Sequence, residues 1–541
     1  MVKRIALNQV GYIADMPKTA VIVGAADVFE IVGAESGKTF FSGIPCDPVS
    51  DEASGDSVSL IDFSAFNLCG EYVIRAGRKK SCVFNISRSP YNKLKKGLLK
   101  GLYYSRCGTA LDKRFAGDYA HGVCHSELAP LLERPSQKLD VSGGWHDSGS
   151  YGKYTVCTCT VLAHLLYAYK LFPNAFEDIT GIPESGNGIP DILNECRVGL
   201  EWLLKMQARD GGVYHKVVSI NPAEVCMPED DEMEQYVFPR SHQAAACFCA
   251  VTSLASGIFA EFDEEFSARL NEASINAWIW IINNQGFEAA ENPPSVAAST
   301  AGDFFDYNFD DDMFWAVCEL YEATGDETFH EKLMELCKQI SATGFSNRDN
   351  GGFGALCYLF GKRPRDKYTE QLIKVQIRIK ADNLYSLSQK NGFGTAKAPE
   401  DYILGSNMYT MTGAMLLIAA HILFDCSDYL IAAHEQLNYM LGKNPNGISF
   451  VTGFGESCVR HPHHRPSESD DIEEPVPGLV VCGPNKDFSD EVAQWNIPGN
   501  AAPAKCYCDI MHSYTTNEPS IYCASSMIFV TGYLCSVSGI Q

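Results

Sequence analysis

Positive charge and tryptophan are both in short supply in this 541-residue chain: 43 Lys and Arg stand against 67 Asp and Glu, and there are only six tryptophans. The formal net charge of −24 repels phosphate backbones, so no nucleic-acid partner is expected. Six indoles leave few broad aromatic platforms for a long ligand. No stretch reads as the roughly 18 apolar residues of a membrane span, so no membrane partner is expected either. The opening residues, Met1-Val-Lys-Arg-Ile-Ala-Leu-Asn-Gln-Val10, hold no apolar core of a secretory signal. A Walker loop, a dinucleotide fingerprint and a Ser-His-Asp order are missing, and no helical repeat recurs at a fixed period. The glycine-containing runs Glu184–Gly188 and Gly351–Gly354 lack the spacing of a phosphate loop.

Hydrophobic residues make up 46% of the chain and charged ones 20%, ordinary for a globular protein, and the length calls for more than one domain. The 21 cysteines, an odd number without regular spacing, do not read as a disulfide framework. Abundant free thiols suit a reducing cytoplasm, which is the expected location; the alternative is a secreted chain whose signal has been removed.

Residues 1–88 read as strands. Short β-branched and aromatic runs (Ala20–Val23, Val28–Val32, Thr39–Phe41, Ser57–Ile61, Glu71–Arg75 and Ser81–Ile86) are separated by Gly, Asp, Ser and Pro, the pattern of a small β-sandwich. From residue 89 to 541 apolar segments of helical length dominate, among them Gly152–Phe172, Pro190–Gln207, Ser241–Phe262, Lys367–Gln389, Met408–Phe424 and Pro519–Ser536. About a dozen helices with no strand pattern between them predict a ring of helical hairpins, a barrel with its chemistry on loops at one end. The expected fold class is therefore mainly α, a helical barrel (89–541) preceded by a β-sandwich (1–88).

Four stretches carry candidate chemistry. Asp140–Tyr154 packs Gly143, Gly144 and Gly149 around Trp145, His146 and Asp147, a candidate active-site wall or a tight turn with a structural tryptophan. Cys107, Cys124, His125 and His146 offer two thiolates and two imidazoles, the donor set of tetrahedral zinc, although the spacing is not that of a finger. Asp303, Asp306, Asp310, Asp311 and Asp312, with Asp349 further on, invite Ca²⁺ or form an acidic helix start. Near the C-terminus Glu518 precedes an apolar helix, with Tyr514 and Asn517 beside it in sequence, and Arg460-His-Pro-His-His-Arg465 concentrates hydrogen-bond donors. Two carboxyl groups across a cleft are the minimum for glycoside hydrolysis.

The motifs Leu7-Asn-Gln-Val-Gly-Tyr12, Asp62-Phe-Ser64, Cys107–His125, Pro183–Asp191, Leu441-Gly-Lys-Asn-Pro445, Phe450–Gly455, His461–Arg465, Pro475–Gly478 and Thr516-Asn-Glu518 follow in the order found in glycoside hydrolase family 9. The chain resembles that family nearly end to end: inverting cellulases with an immunoglobulin-like domain ahead of an (α/α)6 barrel. The resemblance implies Glu518 as general acid and Asp147 as a holder of the nucleophilic water. It further implies His463, Arg465 and Tyr409 as cleft residues gripping sugar; Tyr514, beside Glu518, and Trp145, in the glycine-rich turn, are expected as further substrate contacts from their place in the sequence. Cys107, Cys124, His125 and His146 correspond to a structural zinc site. Asp306, Asp311, Asp312 and Asp349 fall near a calcium site. A monomer acting on cello-oligosaccharides or β-1,4-glucan is expected.

The sequence departs from the family at the position that matters most: Ser150 stands where the resemblance places the catalytic base. A serine hydroxyl has no useful basicity at neutral pH, and losing general-base assistance costs on the order of 10²–10⁴ in rate. Leu404 replaces a tryptophan and Cys523 an aromatic, so short oligosaccharides are the expected ligands. Weakened hydrolysis is the leading expectation. A silent carbohydrate-binding homologue and a phosphorolytic or amino-sugar enzyme are its rivals.

Overall fold

The structure is a computed structural model that describes residues 5–286, 292, 296 and 309–538. By compactness the chain divides into two units, Met1–Gly101 with Ala381–Gln541, and Leu102–Lys380.

In the first unit the N-terminal strands form two sheets. One has the order β1 (Ile5–Ala6), β3 (Thr19–Val23), β7 (Asp56–Asp62), β6 (Val49–Asp51). The other runs β2 (Tyr12–Ile13), β10 (Phe84–Ser87), β8 (Gly70–Ala76), β4 (Phe29–Gly33), β5 (Thr39–Gly43), with β9 (Lys79–Lys80) on β8. Alternate residues of β3 and β8 point inward, and Tyr12, Phe63 and Phe84 meet edge-on with ring centroids 5.2–5.7 Å apart. The sequence runs named above fall on β3, β4, β5, β7, β8 and β10. The two-residue strands were not legible because period 2 needs more than one repeat. The sandwich is joined to later parts of its unit: Asn8 donates to Asn438 Oδ1 (2.9 Å), and Val21 and Val58 share a core with Phe393.

Among the helices of the same unit are Ser406–Phe424, Ser427–Met440 and Ile521–Ser538, while Asn92–Tyr104 and Lys367–Lys390 run across the two divisions of the chain. The second unit holds Thr155–Leu171, Asp191–Lys205, His242–Phe259, Glu264–Asn283, Asp310–Thr324, Glu327–Leu336 and Gly351–Phe360. Local chemistry sets several starts: Ser241, Asp263 and Asp326 each accept a backbone N–H of the first turn.

Two expectations are corrected, and one glycine run finds its role. The second unit contains a five-stranded sheet, β12 (Arg134–Leu139), β11 (Ala129–Leu131), β15 (Gln235–Val237), β14 (Lys216–Ser219) and β13 (Lys153–Tyr154), where no strand was expected. These strands are short, and β12 is exposed along almost its whole length, so no apolar alternation marks it. The run Gly351–Gly354 opens a buried helix. Side chains at Gly351, Gly352 and Gly354 would collide with Ser341 O, Gly344 O and the Phe314 ring, so the glycines let elements approach closely. Finally, His242–Phe259, Ser406–Phe424 and Ile521–Ser538 are long and apolar enough to cross a membrane by length and composition. Interspersed Ser, Thr and Cys hid this from a search for unbroken apolar runs. Their apolar windows are 83%, 67% and 72% buried inside the protein, which accounts for the apolarity through packing.

Candidate active site and metal centre

The glycine-rich turn belongs to the second unit and is moulded by its surroundings. Residues 105–107 run antiparallel to 144–146: Cys107 N–H donates to Gly144 O (2.9 Å) and His146 N–H to Ser105 O (2.8 Å). Gly144 has φ +73°, and a Cβ there would lie 2.8 Å from Cγ of Trp202, so only glycine fits. Asp147 N–H donates to Gly152 O (2.9 Å), closing the turn that carries Ser150. The Asp147 side chain is 2% exposed and lies within hydrogen-bonding reach of the Cys157 thiol. Ser150 is half-buried, its Oγ 3.3 Å from Ser148 Oγ. Trp145 contradicts its expected role as a sugar contact. It is 0% exposed, its Nε1–H donates to Glu195 Oε2 (3.2 Å), and its ring lies against Gly199, so it is a core residue. Its place between two glycines suggested an exposed wall, but the glycines make room for burial instead.

Cys107, Cys124, His125 and His146 come together with one donor atom from each within 4.8 Å of all the others. Four donors around a tetrahedral ion with bonds of about 2.0–2.3 Å stand about 3.3–3.8 Å apart, so the group fits such an ion. His125 Nδ1 and His146 Nε2 face one another at 3.3 Å, and His125 turns its Nε2 to Asp231 Oδ2 at 3.1 Å. The carboxylate fixes which imidazole nitrogen points inward. A hydrogen bond from Cys124 holds the Cys107 thiol well below its usual range against burial, with Lys153 adding to the effect, so a thiolate donor is available.

Asp311 and Asp312 lie in the first turn of the helix Asp310–Thr324 and are buried. Asp311 Oδ2 accepts Asn350 N–H (2.9 Å), and Asp312 Oδ1 accepts from Asn350 Nδ2 and from the Cys247 thiol (2.9 Å). Asp349 sits in the adjoining turn, bridged to Ser346. Asp303 and Asp306 lie outside the described residues. Among the described residues, the Cys–His group is the one that gathers three or more metal donors.

Glu518 belongs to the first unit, half-buried at the C-cap of the short helix Tyr514–Asn517. Its carbonyl accepts Cys482 N–H (2.8 Å), and Val481 bridges Pro519, so strand-like pairing holds the residue from behind. The His–Arg loop is tied to the same segment: His463 N–H donates to Asn517 O (3.0 Å), and Asn517 Nδ2 donates to His461 O (2.6 Å). His463 Nδ1 lies 2.6 Å from Met511 O. A carbonyl can only accept, so Nδ1 carries the proton and Nε2 is left as an acceptor. Burial lowers the imidazole to about 4, keeping it neutral and able to accept a hydroxyl proton. Arg465 is 7% exposed, Tyr409 lies in the first turn of Ser406–Phe424, and Tyr514 is 48% exposed with its ring centroid 6.0 Å from that of His463.

Residues 91–531 match the family profile of glycosyl hydrolase family 9, and residues 2–81 that of the cellulase N-terminal ig-like domain. The chain belongs to glycosyl hydrolase family 9. It is 36% identical to a cellodextrinase of Butyrivibrio fibrisolvens over 97% of this chain and 98% of that one. Among solved structures it resembles AaCel9A in complex with cellobiose-like isofagomine, with 31% identity, a TM-score of 0.92, and 98% and 100% of the two chains covered. A Zn-binding triple mutant of a family 9 endoglucanase is similar at 29% identity and a TM-score of 0.90, covering 97% of this chain and 99% of that one. The family 9 chain is thus a glycoside hydrolase of mainly α class, an (α/α)6 barrel with an immunoglobulin-like β-sandwich ahead of it.

Sequence reasoning missed Asp509. Its carboxylate accepts the N–H groups of Arg460 (2.8 Å) and His461 (2.9 Å) and the Nδ2–H of Asn517 (3.1 Å), while Tyr507 OH donates to Asn517 Oδ1 (2.6 Å). Asp509 therefore locks the His–Arg loop to the segment of Glu518. The only signal was a lone aspartate nine residues before Glu518. Replacing Asp509 by Ala is expected to lower kcat/KM on cello-oligosaccharides by about 10²-fold, as a misplacement near 1 Å does. A drop under threefold in steady-state assays would separate this lock from catalysis.

Proposed function

We propose that this family 9 chain hydrolyses β-1,4-glucosidic bonds in short cello-oligosaccharides, with inversion and at a rate limited by Ser150. Glu518 donates a proton to the leaving oxygen. Asp147 orients the water, while His463, Arg465, Tyr409 and Tyr514 hold the sugars. The likeness to a cellodextrinase over 97% of the chain carries the reading. His463 supports it locally, since a neutral imidazole with a free acceptor nitrogen suits a sugar hydroxyl. Product analysis on cellotetraose, with and without phosphate, tests it. Glucose and shorter cellodextrins independent of phosphate are expected. Sugar 1-phosphate formed only with phosphate would move the reaction to phosphorolysis, and no product at high enzyme load would sink both.

Zinc is the cation this reading assigns to Cys107, Cys124, His125 and His146, in a structural role that pins the turn bearing Asp147. Replacing Asp231 by Ala removes the carboxylate from His125 Nε2. Zinc affinity should then fall about 10–100-fold in competition with a chromogenic chelator; unchanged affinity would remove Asp231 from the design. Calcium at Asp311, Asp312 and Asp349 with Asp306 is the second cation implied, readable as calcium-dependent thermal stability after zinc is saturated. The reading assigns a monomer to the cytoplasm, where its cysteines outside the zinc group would stay reduced.

A further inference from the structure

Trp145 precedes a metal-group residue, His146, and then Asp147, and its indole is held from two directions. Glu195 and Gly199 lie one helical turn apart on Asp191–Lys205 and so share a face. Glu195, 0% exposed, accepts Trp145 Nε1–H on Oε2 (3.2 Å). Gly199 supplies a slot in which a Cβ would strike the indole edge. The carboxylate is itself fixed: Arg106 Nη2 donates to Glu195 Oε1 (2.7 Å) and Arg106 Nε to the same oxygen (3.1 Å). The guanidinium also grips Glu184 with two parallel bonds of 3.0 and 2.9 Å, and its Cζ stands 5.0 Å from the Tyr103 ring centroid. Arg106 is followed by Cys107 and faces Trp145 across the antiparallel bridge. One side of the turn is thus gripped by the Cys–His group and the other by an ionic cluster in which Arg106 and Glu195 are buried and Glu184 is partly exposed.

We propose that Glu195, held by Arg106, is a positioning residue for Asp147 and acts through the indole of Trp145. The proposal rests on the assignment of Asp147 as the residue that holds the water. A buried charge cluster of this kind adds little net stability, because desolvation offsets attraction. It does offer a single geometry: the guanidinium fork has one way to satisfy both carboxylates, and the indole N–H then has one acceptor. An indole pushed out of its slot would strain the Trp145 backbone at its bridge to Arg106, and through it the Asp147 N–H bond to Gly152 O.

Three variants test this on the full zinc-loaded chain. Trp145→Phe removes the donor, Gly199→Ala pushes the ring while leaving the ion pair intact, and Glu195→Gln keeps an oxygen for the indole while losing charge. In Trp145→Phe and Gly199→Ala, kcat on cellotetraose should fall about 10–100-fold with KM within twofold of the unmodified chain. Backbone amide exchange across residues 143–152 should quicken in both. Glu195→Gln, which loses the charge that Arg106 grips, should lower kcat about threefold to tenfold with KM within twofold, and should quicken the same exchange. The proposal is overturned if Trp145→Phe leaves kcat and exchange unchanged, or if rates in all three variants fall in step with Tm. Should the unmodified chain cleave no cello-oligosaccharide, the hydrolase reading fails by itself, and the exchange comparison still decides the positioning role.

Discussion

Ser150→Asp is expected to raise turnover of cellotetraose about 10²–10⁴-fold. Inversion needs a group that takes a proton from water on the face opposite the leaving oxygen. A serine hydroxyl does not ionise near neutral pH, whereas a carboxylate there would be largely charged and basic. The local structure gives the new carboxylate room: Ser150 is half-buried, and its hydroxyl neighbour at 3.3 Å is another serine. Asp147, three residues earlier and almost fully buried, brings a like charge that raises the pKa of the newcomer, moving it toward a useful base. Asp147 is assigned to hold the water, and with serine at 150 no second carboxylate stands beside it on the turn to take the proton. Initial rates of both proteins, followed by chromatography of the products, measure the gain. If Ser150→Asp were no faster, the deficit at this position would not be what limits the chain.

Glu518→Gln should cost about 10²–10⁴ in kcat on cellotetraose. The decisive comparison uses an aryl cellobioside with a strongly acidic phenol, whose departure needs no proton. On that substrate the loss should shrink below about tenfold, because glutamine keeps the shape of the site and removes only the acid. The packing behind Glu518 makes the comparison clean: its backbone is pinned by Cys482 and by the Val481–Pro519 bridge, so the substitution leaves the segment in place. An equal loss on both substrates would assign Glu518 to binding or folding instead. Combined with Ser150→Asp, the loss should be larger than in the unmodified background, since a faster proton abstraction leaves acid catalysis as the remaining demand.

Particular residues mark how far the sequence carried. Glu518 and the His–Arg loop were legible because each is a dense local run of unusual side chains next to an apolar helix. Cys107, Cys124, His125 and His146 were legible as a donor set but not as a cluster. Their convergence depends on the pairing of 105–107 with 144–146, which no local pattern encodes. Trp145 was misassigned for a related reason: an indole between glycines looks exposed until the helix carrying Glu195, Gly199 and Trp202 closes over it. Asp509 left almost no trace, since its importance lies in the backbone N–H groups it satisfies, and every residue has those.

By itself the sequence determined the family, the helical character, the β-sandwich and the departure at Ser150, because these reside in residue identity and in periodicities of 2 and 3.6. Only the tertiary structure decided which side chains meet: the burial of Trp145, the four-donor metal group, the Asp509 lock and the acceptor nitrogen of His463. Those depend on contacts between segments far apart in the chain, where packing and hydrogen-bond satisfaction choose among geometries that local patterns leave equally open.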